Sequence, residues 1–218
     1  MPTVEKVAPD VYRLGAGPGV SAFLVLAEAP VLVDTGLSGW GPSVRRQIAR
    51  LGIRPDWIVL THGDPDHIGN VGFLREAMGA QVCAAAGERP SLTHRLWPAT
   101  PLLRRAVFWA LTGPRRPPVV DRWLGPRETV AGLEVVATPG HTPGHIALRW
   151  GSTLIAGDAF VSGARPRESP RLLTMDRALS RRSIEGLAGL EVDLAVSAHG
   201  EPMRDASRKL RELVASWR

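Results

Sequence analysis

The sequence predicts an α/β protein, on three observations. Short apolar runs bounded by Gly, Pro or Asp alternate with stretches of helical periodicity, as in a layered protein of sheets and helices. The 23 glycines and 19 prolines imply many short elements joined by turns, without reaching a low-complexity composition. The chain of 218 residues suits one core, so residues 1–218 are expected to form a single domain.

The elements follow in order. Val11–Leu14, Ala22–Leu26 and Val31–Val33 have the composition of strands. Pro42 opens a helix with Val44, Ile48 and Leu51 on one face, and Gly52 closes it. Trp57–Leu60 is continuously apolar, as in a strand buried on both faces. The spacing of Ile68, Val71, Leu74 and Met78 predicts one helix over 68–78, stopped by Gly79. Residues 91–118 differ, with Leu96-Trp97, Leu102-Leu103 and Val107-Phe108-Trp109 interrupted by Arg pairs and prolines. This apolar insert is expected either as a cap helix on the core or as a lid or interfacial helix. Strands return at Leu133–Ala137, Ile146–Trp150, Thr153–Ala156 and Val192–Ser197, with a helix near 176–190 before the last. A final helix carries Leu210, Leu213, Val214 and Trp217 on one face. Val31–Gly36 and Thr153–Asp158 are both apolar strands running into Gly and Asp, a hint of two related half-sheets.

Composition narrows the function classes. The formal net charge is +6, but the basic residues are scattered Arg, with Lys6 and Lys209 the only lysines. No clustered basic patch interleaved with aromatics is present, so nucleic-acid binding is not expected. The single Cys83 excludes an internal disulfide framework and a cysteine-only metal site, and fits a reducing compartment. The N-terminus lacks an apolar run behind a basic start, and Val20–Val33 is broken by Glu28 and Pro30. A cytoplasmic protein without a transmembrane segment is therefore expected, its oligomeric state open.

Five of the six histidines fall in three clusters, each directly after a strand. These are Thr61-His62-Gly-Asp64-Pro-Asp66-His67, Thr138-Pro-Gly-His141-Thr-Pro-Gly-His145 and Ser197-Ala-His199-Gly200; Asp158 likewise follows a strand in Ala156-Gly-Asp158. Rigid strands ending in Gly- and Pro-rich turns let imidazoles and carboxylates converge on a metal. Mixed nitrogen and oxygen donors suit zinc, iron or manganese rather than calcium. His94 belongs to none of the clusters and reads as a surface or lid residue.

Together with Val-Asp34-Thr-Gly, these motifs resemble the metallo-β-lactamase fold superfamily over residues 10 to 205. The resemblance implies a four-layer αββα sandwich with two divalent metal ions at one edge, zinc foremost, manganese or iron as alternatives. It gives the first metal His62, Asp64 and His141, the second Asp66, His67 and His199, and makes Asp158 a bridge. Asp34 and His145 would stand behind the ligands and orient them.

The usual loop of the superfamily is His-x-His-x-Asp-His, and here Asp64 stands in place of the second His. Asp64, Asp66 and Asp158 set three negative charges against four positive ones, leaving the site less electron-poor and favouring harder ions. A carboxylate in that slot resembles the di-iron site of the flavodiiron proteins, whose flavin domain is not expected within these 218 residues.

The resemblance implies hydrolysis of an ester, thioester, lactone or related small-molecule bond. A hydroxide shared by the two metals would attack, and Asp66 would act as a catalytic residue by orienting it. Glyoxalase-II-type thioesterases are similar in the motif region but carry a further C-terminal helical region. Many lactonases place a Tyr at the site, whereas the only tyrosine here is Tyr12. Arg165, Arg167 and Arg171 could grip an anionic substrate or form a surface loop. The alternatives are an iron-dependent redox enzyme, flavodiiron-like or sulfur dioxygenase-like, and a non-catalytic scaffold.

Overall fold

The computed structural model describes residues 4–94 and 117–217. Most of the apolar insert, and the side chain of His94, lie outside the described residues.

Seven strands form the first sheet in sequence order: β1 (Glu5–Ala8), β2 (Val11–Gly17), β3 (Val20–Leu26), β4 (Pro30–Val33), β5 (Trp57–Leu60), β6 (Gln81–Ala85) and β7 (Arg122–Leu124). β1 to β4 run antiparallel, and β4 to β7 run parallel. The parallel connections are made by helices, α1 (Gly41–Arg50) after β4, then α2 (Pro65–Ile68) and α3 (Val71–Met78) after β5. A 3-10 turn (Ala86–Glu88) and α4 (Arg89–His94) follow β6.

The second sheet contains β8 (Thr129–Val130), β9 (Leu133–Ala137), β10 (Ile146–Trp150), β11 (Thr153–Ile155), β14 (Leu194–Val196) and β15 (Met203–Arg204). Its order is β15-β14-β11-β10-β9-β8, with β11 and β14 parallel. A small hairpin of β12 (Phe160–Val161) and β13 (Arg167–Glu168) lies outside both sheets. Helix α5 (Arg177–Ala188) precedes β14, and α6 (Ala206–Ala215) follows β15.

Alternating side chains build the layers. Val31, Val33 and Val59 face Leu133, Leu148, Ile155 and Val196 in a core between the sheets. The intervening Leu32, Ile58 and Leu60 face the other way, onto Val44 and Ile48 of α1 and Leu74 and Met78 of α3. In the second sheet Leu154 and Ala195 pack outward on Ile184 and Leu187 of α5 and Leu210 of α6. The layers are therefore α, β, β, α. A strand buried on both faces has no polar side, which is why Val31–Val33 and Trp57–Leu60 read as unbroken apolar runs.

Two readings of the sequence need correction. The helix expected over 68–78 is two helices, α2 and α3, broken at Gly69-Asn70. Asn70 uses its side chain elsewhere: Nδ2 donates to Thr35 O (2.7 Å) and Leu37 O (2.8 Å), and Oδ1 accepts from Gly41 N (2.9 Å). Periodicity continues across the break, so side-chain spacing alone could not reveal it. In addition, β1, β6, β7, β8, β12, β13 and β15 were not expected. Most are very short, and Val-Cys-Ala-Ala in β6 lacks the β-branched and aromatic density of a recognisable strand.

β13 is pinned to α5 by Glu168, whose carboxylate accepts from Arg177 (2.7 and 2.9 Å) and Arg181 (2.7 Å). These hydrogen bonds lower the Glu168 pKa from 4.5 to about 2. A depressed carboxylate pKa adds stability that is complete above the unfolded value and disappears as pH falls through the folded one. The melting temperature should thus fall on acidification from pH 4.5 to pH 2, and less steeply in Glu168→Gln. Melting curves across that window check it; parallel slopes would show that Glu168 contributes nothing.

Candidate metal centre

β4, β5, β9, β11 and β14 all deliver their C-terminal ends to one edge of the sandwich. Asp34 follows β4, the 61–67 loop follows β5, the 138–145 loop follows β9, Asp158 follows β11 and His199 follows β14. Strand carboxyl ends are the usual place for a site in an open α/β sheet, because the loops there share one rigid base.

At this edge three groups of donor atoms each fall within 4.8 Å of one another: His62, Asp64 and His141; Asp66, His67 and His199; and His62, His67 and Asp158. Asp64 Oδ2 lies 3.5 Å from His62 Nε2 and 3.0 Å from His141 Nε2. His199 Nε2 lies 3.2 Å from Asp66 Oδ2. Asp158 sits between the groups, with Oδ1 3.5 Å from His67 Nε2, and Oδ2 3.7 Å from His141 Nε2 and 3.4 Å from His199 Nε2. Two ligands on a tetrahedral ion with bonds of about 2.0–2.2 Å are separated by about 3.3–3.6 Å. Most of these spacings are near that value. The buried His62 Nε2, His67 Nε2 and Asp158 Oδ1 make no hydrogen bond, as donors reserved for a cation would.

The atoms behind the donors fix which nitrogen is free. Gly19 O accepts from His199 Nδ1 (2.9 Å), which leaves Nε2 facing the cluster. Asp34 Oδ2 accepts from His67 Nδ1 (2.8 Å) and from Thr61 Oγ1 (2.8 Å), and Oδ1 accepts from Thr61 N (2.9 Å). Thr61 Oγ1, having donated to Asp34, accepts from His62 Nδ1 (3.0 Å). One carboxylate thereby sets the tautomers of two imidazoles. Asp34 holds a left-handed backbone (φ 60°), an uncommon conformation for a non-glycine residue that Asp tolerates better than most.

His145 has both nitrogens engaged. Its Nε2 accepts from Asp158 N (3.0 Å), so its Nδ1 donates to Thr138 Oγ1 (2.7 Å). Burial, then the neighbouring His62 and His141, hold its pKa well below the usual value. Gly157 (φ 52°) lets this imidazole approach, since a Cβ there would lie 2.9 Å from His145 Nε2.

Electrostatics point to a cation. Burial opposes ionisation of Asp158, but His67 and His199 outweigh it and hold the carboxyl well below its usual range. Burial likewise opposes charge on His67, yet Asp158, Asp34 and Asp66 raise its pKa well above normal. His199 is pushed up to about 10, against burial, by hydrogen bonds to Asp158 and Asp66. Buried carboxylates demand positive charge, which protons on imidazole or metal ions can supply.

Arg165, Arg167 and Arg171 do not join this cluster. They are exposed, and among the described residues their side chains form no hydrogen bond or ion pair. Their segment nevertheless borders it. Ser169 Oγ donates to Asp158 O (2.7 Å), and Met175 N donates to His141 O (3.1 Å). Thr61, Thr138 and Asn70 were missed in the sequence. The two threonines precede the histidine motifs, but nothing local marks the long-range bonds that give them a role.

The sandwich and its His- and Asp-lined edge define a metal-dependent enzyme fold. A model of the metallo-beta-lactamase superfamily matches residues 14–199, and the chain belongs to that superfamily. The probable metallo-hydrolase YflN of Bacillus subtilis is 28% identical over 221 residues, covering 83% of this chain and 80% of that protein. A hydroxyacylglutathione hydrolase of Anaeromyxobacter dehalogenans is 34% identical over 109 residues, but these cover 50% of this chain and only 34% of that enzyme. The crystal structure of TTHA1623 in a di-iron-bound form superposes with a TM-score of 0.72 at 26% identity, covering 95% of this chain and 96% of the other. The expected family, architecture and enzymatic character therefore stand.

Replacing Asp34 by Asn keeps the shape but leaves one accepting oxygen where two serve three donors, so an NH2 must face either Thr61 N or the Thr61 Oγ1 and His67 Nδ1 pair. Metal affinity should fall about 10- to 100-fold, as for other partners behind metal ligands. Calorimetric titration of the metal-free protein with Zn2+ checks this, and equal affinities would deny Asp34 the role.

Proposed function

We propose that the protein is a hydrolase using two divalent ions, the first held by His62, Asp64 and His141, the second by Asp66, His67 and His199, with Asp158 shared. The observation that carries the reading is the position of Asp158, whose two oxygens face donors of both groups. Bound there, the ions would supply Lewis acidity toward the bond under attack and lower the pKa of a water nucleophile.

The protein's own residues do the rest. Asp66 is the most open of the three carboxylates, its side chain 26% exposed against 10% for Asp158 and Asp64. In this reading it orients the nucleophile and takes up its proton. His199, beside it at 3.2 Å, is 34% exposed. Asp34 keeps His67 and, through Thr61, His62 from rotating, and His145 fixes the backbone of Asp158, so the site need reorganise little during reaction.

The substrate class we favour is a small ester, thioester or lactone. The partial likeness to a hydroxyacylglutathione hydrolase supports a thioester, and the apolar composition of residues 91–118 suits a hydrophobic acyl group. Arg165, Arg167 and Arg171 stand on the bordering segment, where they could meet an anionic end. Zinc is the metal we expect first, with manganese or iron as alternatives. The buried lone Cys83 fits a reducing compartment, and the cytoplasm is the setting we infer. Among the described residues no helix is long and apolar enough to cross a membrane.

One observation favours a second reading. Asp64 puts a carboxylate in a slot facing His62 and His141, and the similar TTHA1623 structure is di-iron-bound. An iron-dependent redox enzyme would carry iron as isolated and consume oxygen or another oxidant rather than release acid or alcohol.

A panel of thioesters, lactones, esters and phosphodiesters tests the main reading. Wild type should turn over at least one class, and His141→Ala and Asp158→Ala should lose about a thousandfold or more. An Asp158→Ala variant of full activity would sink the assignment. Asp64→His adds a unit of positive charge and should move the acid limb of kcat/KM to lower pH. An unmoved limb would remove Asp64 from the first site. Arg165→Glu should raise KM for anionic substrates alone, and an unchanged KM would make the loop a bystander.

A further inference from the structure

We infer that Glu88 is a positioning residue that clamps the two loops of the first metal site together. The inference rests on the two-ion reading above, but it assigns a task to a residue that contacts neither ion nor substrate.

Glu88 is fully buried in the 3-10 turn after β6. Its Oε1 accepts from Gly144 N (3.0 Å) and from Thr142 Oγ1. Its Oε2 accepts from Gly63 N (2.9 Å) and Ser91 Oγ (2.6 Å). Gly63 lies between His62 and Asp64, while Thr142 and Gly144 lie between His141 and His145. One carboxylate therefore ties the loop that supplies two donors of the first site to the loop that supplies the third. The second group is braced from elsewhere, by Asp34 on His67 and Gly19 on His199.

The backbones close tightly around this carboxylate. A Cβ on Gly63 would lie 2.3 Å from Ser91 Oγ, and one on Gly144 would lie 2.2 Å from Gly87 C and 2.3 Å from Glu88 N. Each loop thus packs directly against the Gly87–Ser91 segment, and the Glu88 side chain bridges the two, so the spacing of His62, Asp64 and His141 depends on it. Each oxygen also serves one backbone amide. A glutamine of equal size offers only one accepting oxygen, so its NH2 must face the N–H of either Gly63 or Gly144. The isosteric change thus leaves a buried donor without an acceptor and pushes one loop away.

The experiment compares wild type and Glu88→Gln as full-length protein, by Zn2+ titration of the metal-free form against a competing chelator. Wild type should bind two ions. Glu88→Gln should keep the second ion at wild-type affinity and bind the first about 10- to 100-fold more weakly. The Co2+-substituted variant should lose the absorption of one site only. Two ions bound at wild-type affinity would overturn the inference, and so would an equal loss at both sites. A wild type binding fewer than two ions would instead overturn the two-ion reading. Should Glu88→Gln fail to fold, Thr142→Val and Ser91→Ala decide. Thr142→Val cuts one tie to a donor loop and should weaken the first ion several-fold; Ser91→Ala cuts only the tie to α4 and should change neither. Equal effects of the two would overturn the inference.

Discussion

Three carboxylates brought among five imidazoles at one sheet edge are the constraint on which the rest depends. Asp64 and Asp158 are buried, and Asp66 is partly so. Negative charges this close are unfavourable unless positive charge joins them. The protein meets that need with histidines whose Nε2 atoms point inward, and the fold can be read as the scaffold that holds them there. Each donor follows the end of a strand, and the strands are locked in register by ladders whose side chains are mainly apolar.

A short layer of polar groups behind the donors turns this proximity into defined geometry. Asp34 acts on His67 directly and on His62 through Thr61 Oγ1. His145 takes the Asp158 amide and is itself fixed by Thr138. Glu88 holds the loops rather than the imidazoles. The opening is left to Asp66 and His199, the two most exposed donors, so rigidity lies behind the site and access in front.

Much of this was legible because the site is built from local motifs. His62 to His67, His141 to His145 and His199 each sit after an apolar strand, and Gly and Pro mark where the chain turns. The strands Trp57–Leu60, Leu133–Ala137 and Ile146–Trp150 were legible for the same reason: short, mainly apolar runs with sharp ends. Glu88 carried no such mark. Its four bonds reach residues three to fifty-six positions away, and a lone Glu after Gly87 has no periodicity to betray it. Asn70 hid its break within a continuous helical pattern. β6 hid in small residues that depend on neighbouring strands rather than on their own propensity.

The central claim is that this edge holds two ions that share Asp158. Anomalous diffraction from crystals of protein purified without chelator or added metal tests it most directly. The account predicts two peaks, one among His62, Asp64 and His141 and one among Asp66, His67 and His199, with Asp158 between them. A single peak with Asp158 turned away, or none with His62 and His67 hydrogen-bonded to the carboxylates, would contradict it.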